Sequence, residues 1–249
     1  MIASMTNTAE RLDREKSFHD GRFEDDSARE ATGVFYTAVP AATEQYIARV
    51  ERAAHGDVLE FGCGAGALGV DLSIARSLTA IDISPVAIRE AEKSAMDRGI
   101  ESQFYEMNAE ALSFGADTFD LVYGSGILHH LDLHAACSQL RSAVRPGGRA
   151  IFLEPLGHNP LINWYRDRTP EMRTEDEHPL RSRDLAMISR YCNELDTAFH
   201  GLASLGSAPV LDRRGGTQIN KILTALDGVL LRVPKVQLLS WIVILEMRF

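Results

Sequence analysis

The run VLEFGCGAGALG at residues 58–69 has the residue types and spacing of a ligand-binding turn. Gly62, Gly64 and Gly66 close an apolar stretch. Glycines there permit a tight turn and close approach of the backbone, and the N-terminus of a following helix offers unpaired N–H groups to a ligand. Two carboxylates bracket the loop, Glu60 before it and Asp82 20 residues after Gly62. A carboxylate at the second position can accept hydrogen bonds from both hydroxyls of a ribose. The pattern G-x-G-x-x-G/A can be read from Gly62, Gly64 and Ala67 or from Gly64, Gly66 and Gly69, so the spacing alone admits an NAD(P)-dependent oxidoreductase. Glu60 argues the other way. A carboxylate beside a pyrophosphate is repelled, whereas beside an ammonium or sulfonium it is attracted.

The elements that must hold this loop are short apolar runs alternating with helical patterns. DVLEFG, LTAIDIS, SQFYEM, FDLVYG and GRAIFLEP read as strands, and LGVDLSIARS, PVAIREAEKSAMDRG and LHAACSQLRSAV read as helices. Such alternation is the signature of parallel βαβ units covered on both faces. Ser84-Pro85 supplies a cap followed by proline at the first helical position, and Pro146-Gly147-Gly148 supplies a turn. Upstream, FYTAVPAATEQYIARVERAA reads as a helix leading into the first strand, and residues 1–30 as surface loop or a short mobile helix. Residues 156–184 break the alternation with prolines, histidines and mixed charge and read as an insertion. Beyond them ELDTAFHGLASLG supplies a strand region, ILTALDGVLLRV a helix and SWIVILEMRF a closing strand.

Composition narrows the function classes. The 249 residues carry 45% hydrophobic and 24% charged side chains, the balance of one globular domain. With 26 basic against 35 acidic residues the net charge is -9, which repels a phosphate backbone and excludes nucleic acid as the expected partner. Cys63, Cys137 and Cys192 have no CxxC spacing, so neither a disulfide framework nor a thiolate zinc site is expected, and the reading is a reducing, cytoplasmic compartment. The N-terminus has no apolar h-region. The longest apolar run, Val236 to Leu245, contains Gln237 and Ser240 and falls well short of the about 20 residues that span a bilayer, so no membrane insertion is expected. The acidic run TEDEHP reads as a solvated loop, and no metal is expected. Oligomeric state is not legible.

From Val58 to Pro155 the residues resemble the class I S-adenosylmethionine-dependent methyltransferases, in the small-molecule branch that includes ubiquinone-biosynthesis enzymes. VLEFGCGAGALG is similar to that family's first motif, AIDIS to its second, NAEALSF to the adenine-contacting segment, FDLVYGSGILHHL to the fourth-strand motif and VRPGGRAIFLEP to the turn into strand five. Asn108 stands where the family commonly has Asp, and an amide still pairs with an adenine edge. The resemblance implies a Rossmann-like, doubly wound α/β sheet of seven strands in the order 3-2-1-4-5-7-6 with strand 7 antiparallel. It also implies bound S-adenosyl-L-methionine, released as S-adenosyl-L-homocysteine. Carried over by position, Glu60 and the Gly62–Cys63–Gly64–Gly66 turn hold the methionine end and Asp82 the ribose. Ile83 lies on an adenine face, Asn108, Ala109 and Glu110 at the adenine edge, and Gly124 and Ser125 on the methionyl side. Within one domain, residues 1–54 become a leader or lid containing Phe18, His19, Arg29 and Tyr36, with Tyr36 touching the cofactor. Residues 55–155 become the cofactor half, 156–184 an acceptor-side insertion and 185–249 the closing strands and helix.

Methyl transfer from a sulfonium is an in-line displacement that positioning and exclusion of water can drive, but a hydroxyl acceptor also needs a base. Histidine is the natural type. The candidates are His129 and His130, which follow strand four, and His158 and His178 in the insertion. The HHL triplet equally suits a packing or capping role. Asn159, Trp164, Tyr165 and Arg166 combine flat apolar surface with polar handles for a ring or an anionic group, or else form a cap helix on the sheet. The expectation is methylation of a small-molecule acceptor, oxygen slightly ahead of nitrogen or carbon, in specialised-metabolite or lipid-related biosynthesis. A non-catalytic protein that binds the same cofactor is the other alternative to the oxidoreductase.

Overall fold

The computed structural model describes residues 2–24, 39–66, 70–170 and 174–249, with side chains from Thr8 to Gly21 in the first of these segments. Seven strands build the centre: β1 (Gly56–Phe61), β2 (Ala75–Asp82), β3 (Gln103–Glu106), β4 (Phe119–Ser125), β5 (Val144–Pro155), β6 (Glu194–His200) and β7 (Ile242–Arg248). They form one sheet in the order β3-β2-β1-β4-β5-β7-β6, as the resemblance implied. β1 to β5 pair in parallel, while β7 runs antiparallel to both β5 and β6.

Around the sheet lie α1 (Ile2–Glu24), α2 (Pro40–Ala53), α3 (Pro85–Asp97), α4 (Leu133–Ala143), α5 (Pro160–Arg166), α6 (Ser182–Ile188), α7 (Gly216–Leu230) and α8 (Pro234–Gln237). Alternation along the strands divides the core. Val58, Leu121, Ile151 and Ile244 meet Tyr46 and Val50 of α2 on one face. Leu59, Phe61, Val122 and Phe152 meet Leu133, Cys137 and Leu140 of α4 on the other. Helix starts follow the local chemistry: Ser84 accepts from the Ala87 N–H ahead of Pro85, and Asp132 from the Ala135 N–H. No helix among the described residues is long and apolar enough to cross a membrane.

Two expectations are corrected. The segment read as a helix over LGVDLSIARS shows none at 70–74, and β2 already begins at Ala75. Leu68, Val70, Leu72 and Ile74 alternate at a spacing of two, which is not a helical stripe. Locally, Asp71 accepts from the Ser73 N–H at 3.0 Å while the Asp71 N–H donates to Glu51, an arrangement that competes with a helical turn. Beside this segment a cavity of about 850 Å³ opens over β1 and β2, lined by Glu60, Gly66, Val70, Ser94, Arg98 and Tyr123. The N-terminal segment, expected as loop or short helix, forms a 23-residue helix, α1, that lies against α3.

Candidate active site

The glycine loop sits at the carboxyl end of β1, where the sheet order reverses, as ligand sites in such folds do. Gly62, Gly64 and Gly66 have φ of 73°, 51° and 69°, left-handed conformations that favour glycine. A Cβ on Gly124 at the end of β4 would stand 2.5 Å from the Phe61 carbonyl oxygen, so this neighbour of the loop must also be glycine. Asp82 ends β2 and accepts from the Gly64 N–H through Oδ2 and from the Ser84 N–H through Oδ1, both at 2.9 Å. Each oxygen keeps a second lone pair for a ligand hydroxyl. Cys63 is buried, and burial pushes its thiol up, away from thiolate chemistry.

Burial pushes the Glu60 carboxyl up to about 7, against a hydrogen bond from Tyr123 that acts the other way. Burial also raises Asp82, opposed by its backbone donors. No lysine or arginine forms an ion pair with either acid among the described residues. The shelf is therefore a pair of acids with no lysine or arginine in direct contact, Arg98 acting on Glu60 and His19 on Asp82 only through longer-range attraction. At the next strand end, Asn108 Oδ1 accepts from the Glu110 N–H at 2.9 Å, which leaves the amide NH2 to donate, and Ala109 is buried. Ile83, Gly124 and Ser125 lie at the same edge of the sheet. Glu110 is engaged differently: it receives Arg11 of α1 at 2.6 Å and the Asp132 N–H at 2.8 Å. Tyr36 and Arg29 lie outside the described residues.

α1 is fastened across these strand ends by ion pairs. Arg11 holds Glu110, Lys16 holds Glu106 and Arg14 holds Asp176 in the insertion, while the Ser84 hydroxyl donates to Asp20. Phe18 and His19 stack edge to face on this helix, and His19 stacks in the same way on His130, with ring centroids 5.1 Å apart.

The insertion folds back onto the turn after β4. Its Leu180 N–H donates to the Pro155 carbonyl, and the His178 N–H donates to the His129 carbonyl at 2.9 Å. His129 is buried, with Nδ1 2.7 Å from Glu154 Oε2 and Nε2 3.8 Å from Glu177 Oε1. Glu154, fully buried at the end of β5, also accepts from the Ile127 and Leu128 N–H groups. With Glu154 taking the Nδ1 proton, the Nε2 lone pair of His129 is the free one, and burial holds this imidazole toward its neutral form. Glu177 is held by Arg166 at 2.7 Å, and burial, which would raise its carboxyl, is outweighed by His129, Arg166 and His130.

The structure thus brings His129 and His130 together with Arg166, and places the other candidates elsewhere. His158 Nε2 accepts from the Ser182 N–H, and the exposed His178 points Nδ1 at the Asp176 carbonyl. Asn159 caps α5 through its Oδ1 and donates to the Leu239 carbonyl. Trp164 is exposed with the Arg168 guanidinium 4.1 Å above its ring, and Tyr165 is half-buried in the same helix. Glu15, Glu154 and Glu177 were missed by sequence reasoning. Glu154 was detectable as an acid inside the apolar strand IFLEP, whereas Glu177 was set aside with its solvated-looking neighbours.

Sheet order, glycine turn and the two strand-end acids define a class I methyltransferase fold. Residues 58–148 match the family model described as a methyltransferase domain. Among curated relatives, the chain is 31% identical over 106 residues to a ubiquinone biosynthesis O-methyltransferase of Aeromonas salmonicida, covering 41% of this chain and 44% of that one. To the protein of the same description from Nitrosococcus oceani it is 29% identical over 190 residues, covering 71% and 78%. The chain thus spans less than half of the first relative's length. Among solved structures, a phosphoethanolamine N-methyltransferase of Haemonchus contortus in complex with S-adenosylhomocysteine superposes with a TM-score of 0.58 at 13% identity, over 82% of this chain and 52% of that one. That likeness is one of fold.

Proposed function

We propose that the protein transfers a methyl group from S-adenosyl-L-methionine to an oxygen of a small-molecule acceptor. The observation that carries the cofactor is the acidic shelf: Glu60, with its carboxyl near 7, and Asp82 face a glycine turn without a paired cation. An adenosyl ligand with a sulfonium and an ammonium supplies the missing charge, whereas a diphosphate would add to the repulsion. When bound, S-adenosylmethionine supplies a methyl group made electrophilic by its sulfonium.

The chain's residues then have separable tasks. Asp82 receives the ribose hydroxyls, Asn108 meets the adenine edge, and α1 closes over the strand ends through Arg11, Arg14 and Lys16. Glu154 receives the Nδ1 N–H of His129, leaving Nε2, 3.8 Å from Glu177 Oε1, as the atom that takes a proton, the arrangement of a base oriented by a carboxylate. A hydroxyl acceptor would give its proton to His129 Nε2 while the bound S-adenosylmethionine would supply the methyl group to the acceptor oxygen. The buried Glu154–His129 pair favours oxygen, since an amine free base needs no such partner to attack. The two relatives' printed activity, O-methylation in ubiquinone biosynthesis, supports the same reading, and the acidic surface favours a metabolite over a nucleic acid acceptor. Calorimetric titration with S-adenosylmethionine, then a mass-spectrometric screen of phenolic and other hydroxyl acceptors for gain of one methyl, tests it. Turnover confined to amine acceptors would overturn the choice of oxygen.

A further inference from the structure

Where α1 meets the turn after β4, Glu15 Oε2 and His130 Nδ1 are buried and stand 3.1 Å apart, yet neither atom makes a hydrogen bond among the described residues. Glu15 is 4% and His130 6% exposed. The contact is an ion pair outside hydrogen-bond geometry, and a cation between the two atoms would satisfy both. His19 Nε2 lies 3.6 Å from the same Glu15 oxygen, and the three ligand atoms all fall within 4.8 Å of one another. We propose that Glu15, His19 and His130 bind one divalent transition-metal ion of the zinc class.

The geometry suits such an ion. Ligand atoms about 2.0–2.1 Å from a tetrahedral zinc stand about 3.3 Å from each other, and the distances of 3.1 and 3.6 Å bracket that value. Glu15 and His19 are four apart on α1, so both project from one face of the helix toward His130. Two imidazoles and one carboxylate form a donor set for zinc and its neighbours, not for magnesium, which prefers oxygen alone. The supporting contacts are those of a metal site. Thr174 Oγ1 donates to Glu15 Oε1, leaving Oε2, which faces both histidines, as the oxygen for the ion, and the ion pairs of Arg11 and Arg14 fix the helix that carries two of the ligands. Three protein ligands leave a fourth position open. On the far side of His130 stand His129 and Glu177, which with His130 also fall within 4.8 Å of one another. The ligands come from residues 15, 19 and 130, far apart in the chain, which is why no spacing in the sequence announced a metal.

The use of such an ion rests on the methyl-transfer reading: an acceptor oxygen on the open position would be oriented and made more acidic beside His129. The binding itself does not rest on it. The test strips the full chain with a chelator and titrates it with zinc against a chromophoric competitor, repeating the titration with cobalt to read the visible bands of a four-coordinate site. One ion per chain is expected, with affinity reduced at least about 100-fold in Glu15→Gln and in His19→Ala, each checked for folding by circular dichroism. Sub-stoichiometric zinc, or zinc held equally by wild type and both folded variants, overturns the proposal and leaves a plain histidine–carboxylate contact. S-adenosylmethionine titrated into the same protein reports separately: a folded chain that binds the cofactor but takes up no zinc loses the metal site alone, and one that takes up zinc but binds no cofactor loses the functional reading alone.

Discussion

Replacing Glu60 with glutamine should make the free protein more stable and the cofactor complex weaker. In the folded chain burial raises this carboxyl to about 7, above the value near 4.5 of an exposed glutamate. A group whose pKa is raised by folding lends its full stability below the unfolded value and loses it as pH climbs through the folded one. For a rise of this size the wild type gives up under about 1 kcal/mol near pH 5 and about 3 kcal/mol near pH 8.5. Glu60 keeps some access to the adjoining cavity, so screening brings the second figure to about 2 kcal/mol. Glu60→Gln removes the ionisation and keeps the shape. Urea unfolding at the two pH values should therefore show a gain for the variant of about 2 kcal/mol near pH 8.5 and little near pH 5. The variant should also bind S-adenosylmethionine less tightly near pH 8.5, because the carboxylate that costs stability in the free protein is the one that meets the ligand's positive charge. Equal gains at both pH values, or no gain at either, would refute the idea that Glu60 is held as an acid in want of a cation.

Further expectations concern single contacts. Wild-type affinity for S-adenosylmethionine, followed by calorimetry, should rise about tenfold per pH unit up to about 7 and level off above it, since the cation binds the ionised form of Glu60. His129→Ala should cut turnover with a hydroxyl acceptor by about 100-fold or more while leaving cofactor affinity within a few-fold, measured by steady-state kinetics beside calorimetry. Gly124→Ala should cost about 1–3 kcal/mol in urea unfolding, because its Cβ would meet the Phe61 carbonyl at 2.5 Å and that oxygen belongs to the backbone of β1. Ser84→Ala should cost about 1 kcal/mol by the same assay, through the lost cap on α3.

How far the molecule could be read without coordinates depends on the range of the forces involved. The sheet was legible because strand burial and helix caps are local: FDLVYG is apolar for its own reasons, and Ser84-Pro85 starts a helix wherever it falls. Residues 8–21 were not, because α1 is held less by an apolar stripe than by Arg11, Arg14 and Lys16 reaching acids about 90 to 160 residues away. The same applies to the site. Gly62, Gly64 and Asp82 announce themselves by spacing, but Glu154 matters only because β5 ends beside the turn that carries His129, and Glu177 only because the insertion folds back over it. Position in a βαβ unit misled at residues 70–74, where the Asp71 turn prevails over the helix that the surrounding pattern suggested.

The central claim is a cationic adenosyl ligand on the shelf formed by the glycine turn and Asp82. Isothermal titration of the folded protein with S-adenosylmethionine and S-adenosylhomocysteine, repeated on Asp82→Ala, tests it most directly. The account predicts one site per chain for both ligands and loss of binding in the folded variant. No binding of either ligand by the folded wild type, with NAD or NADP binding in its place, would contradict it.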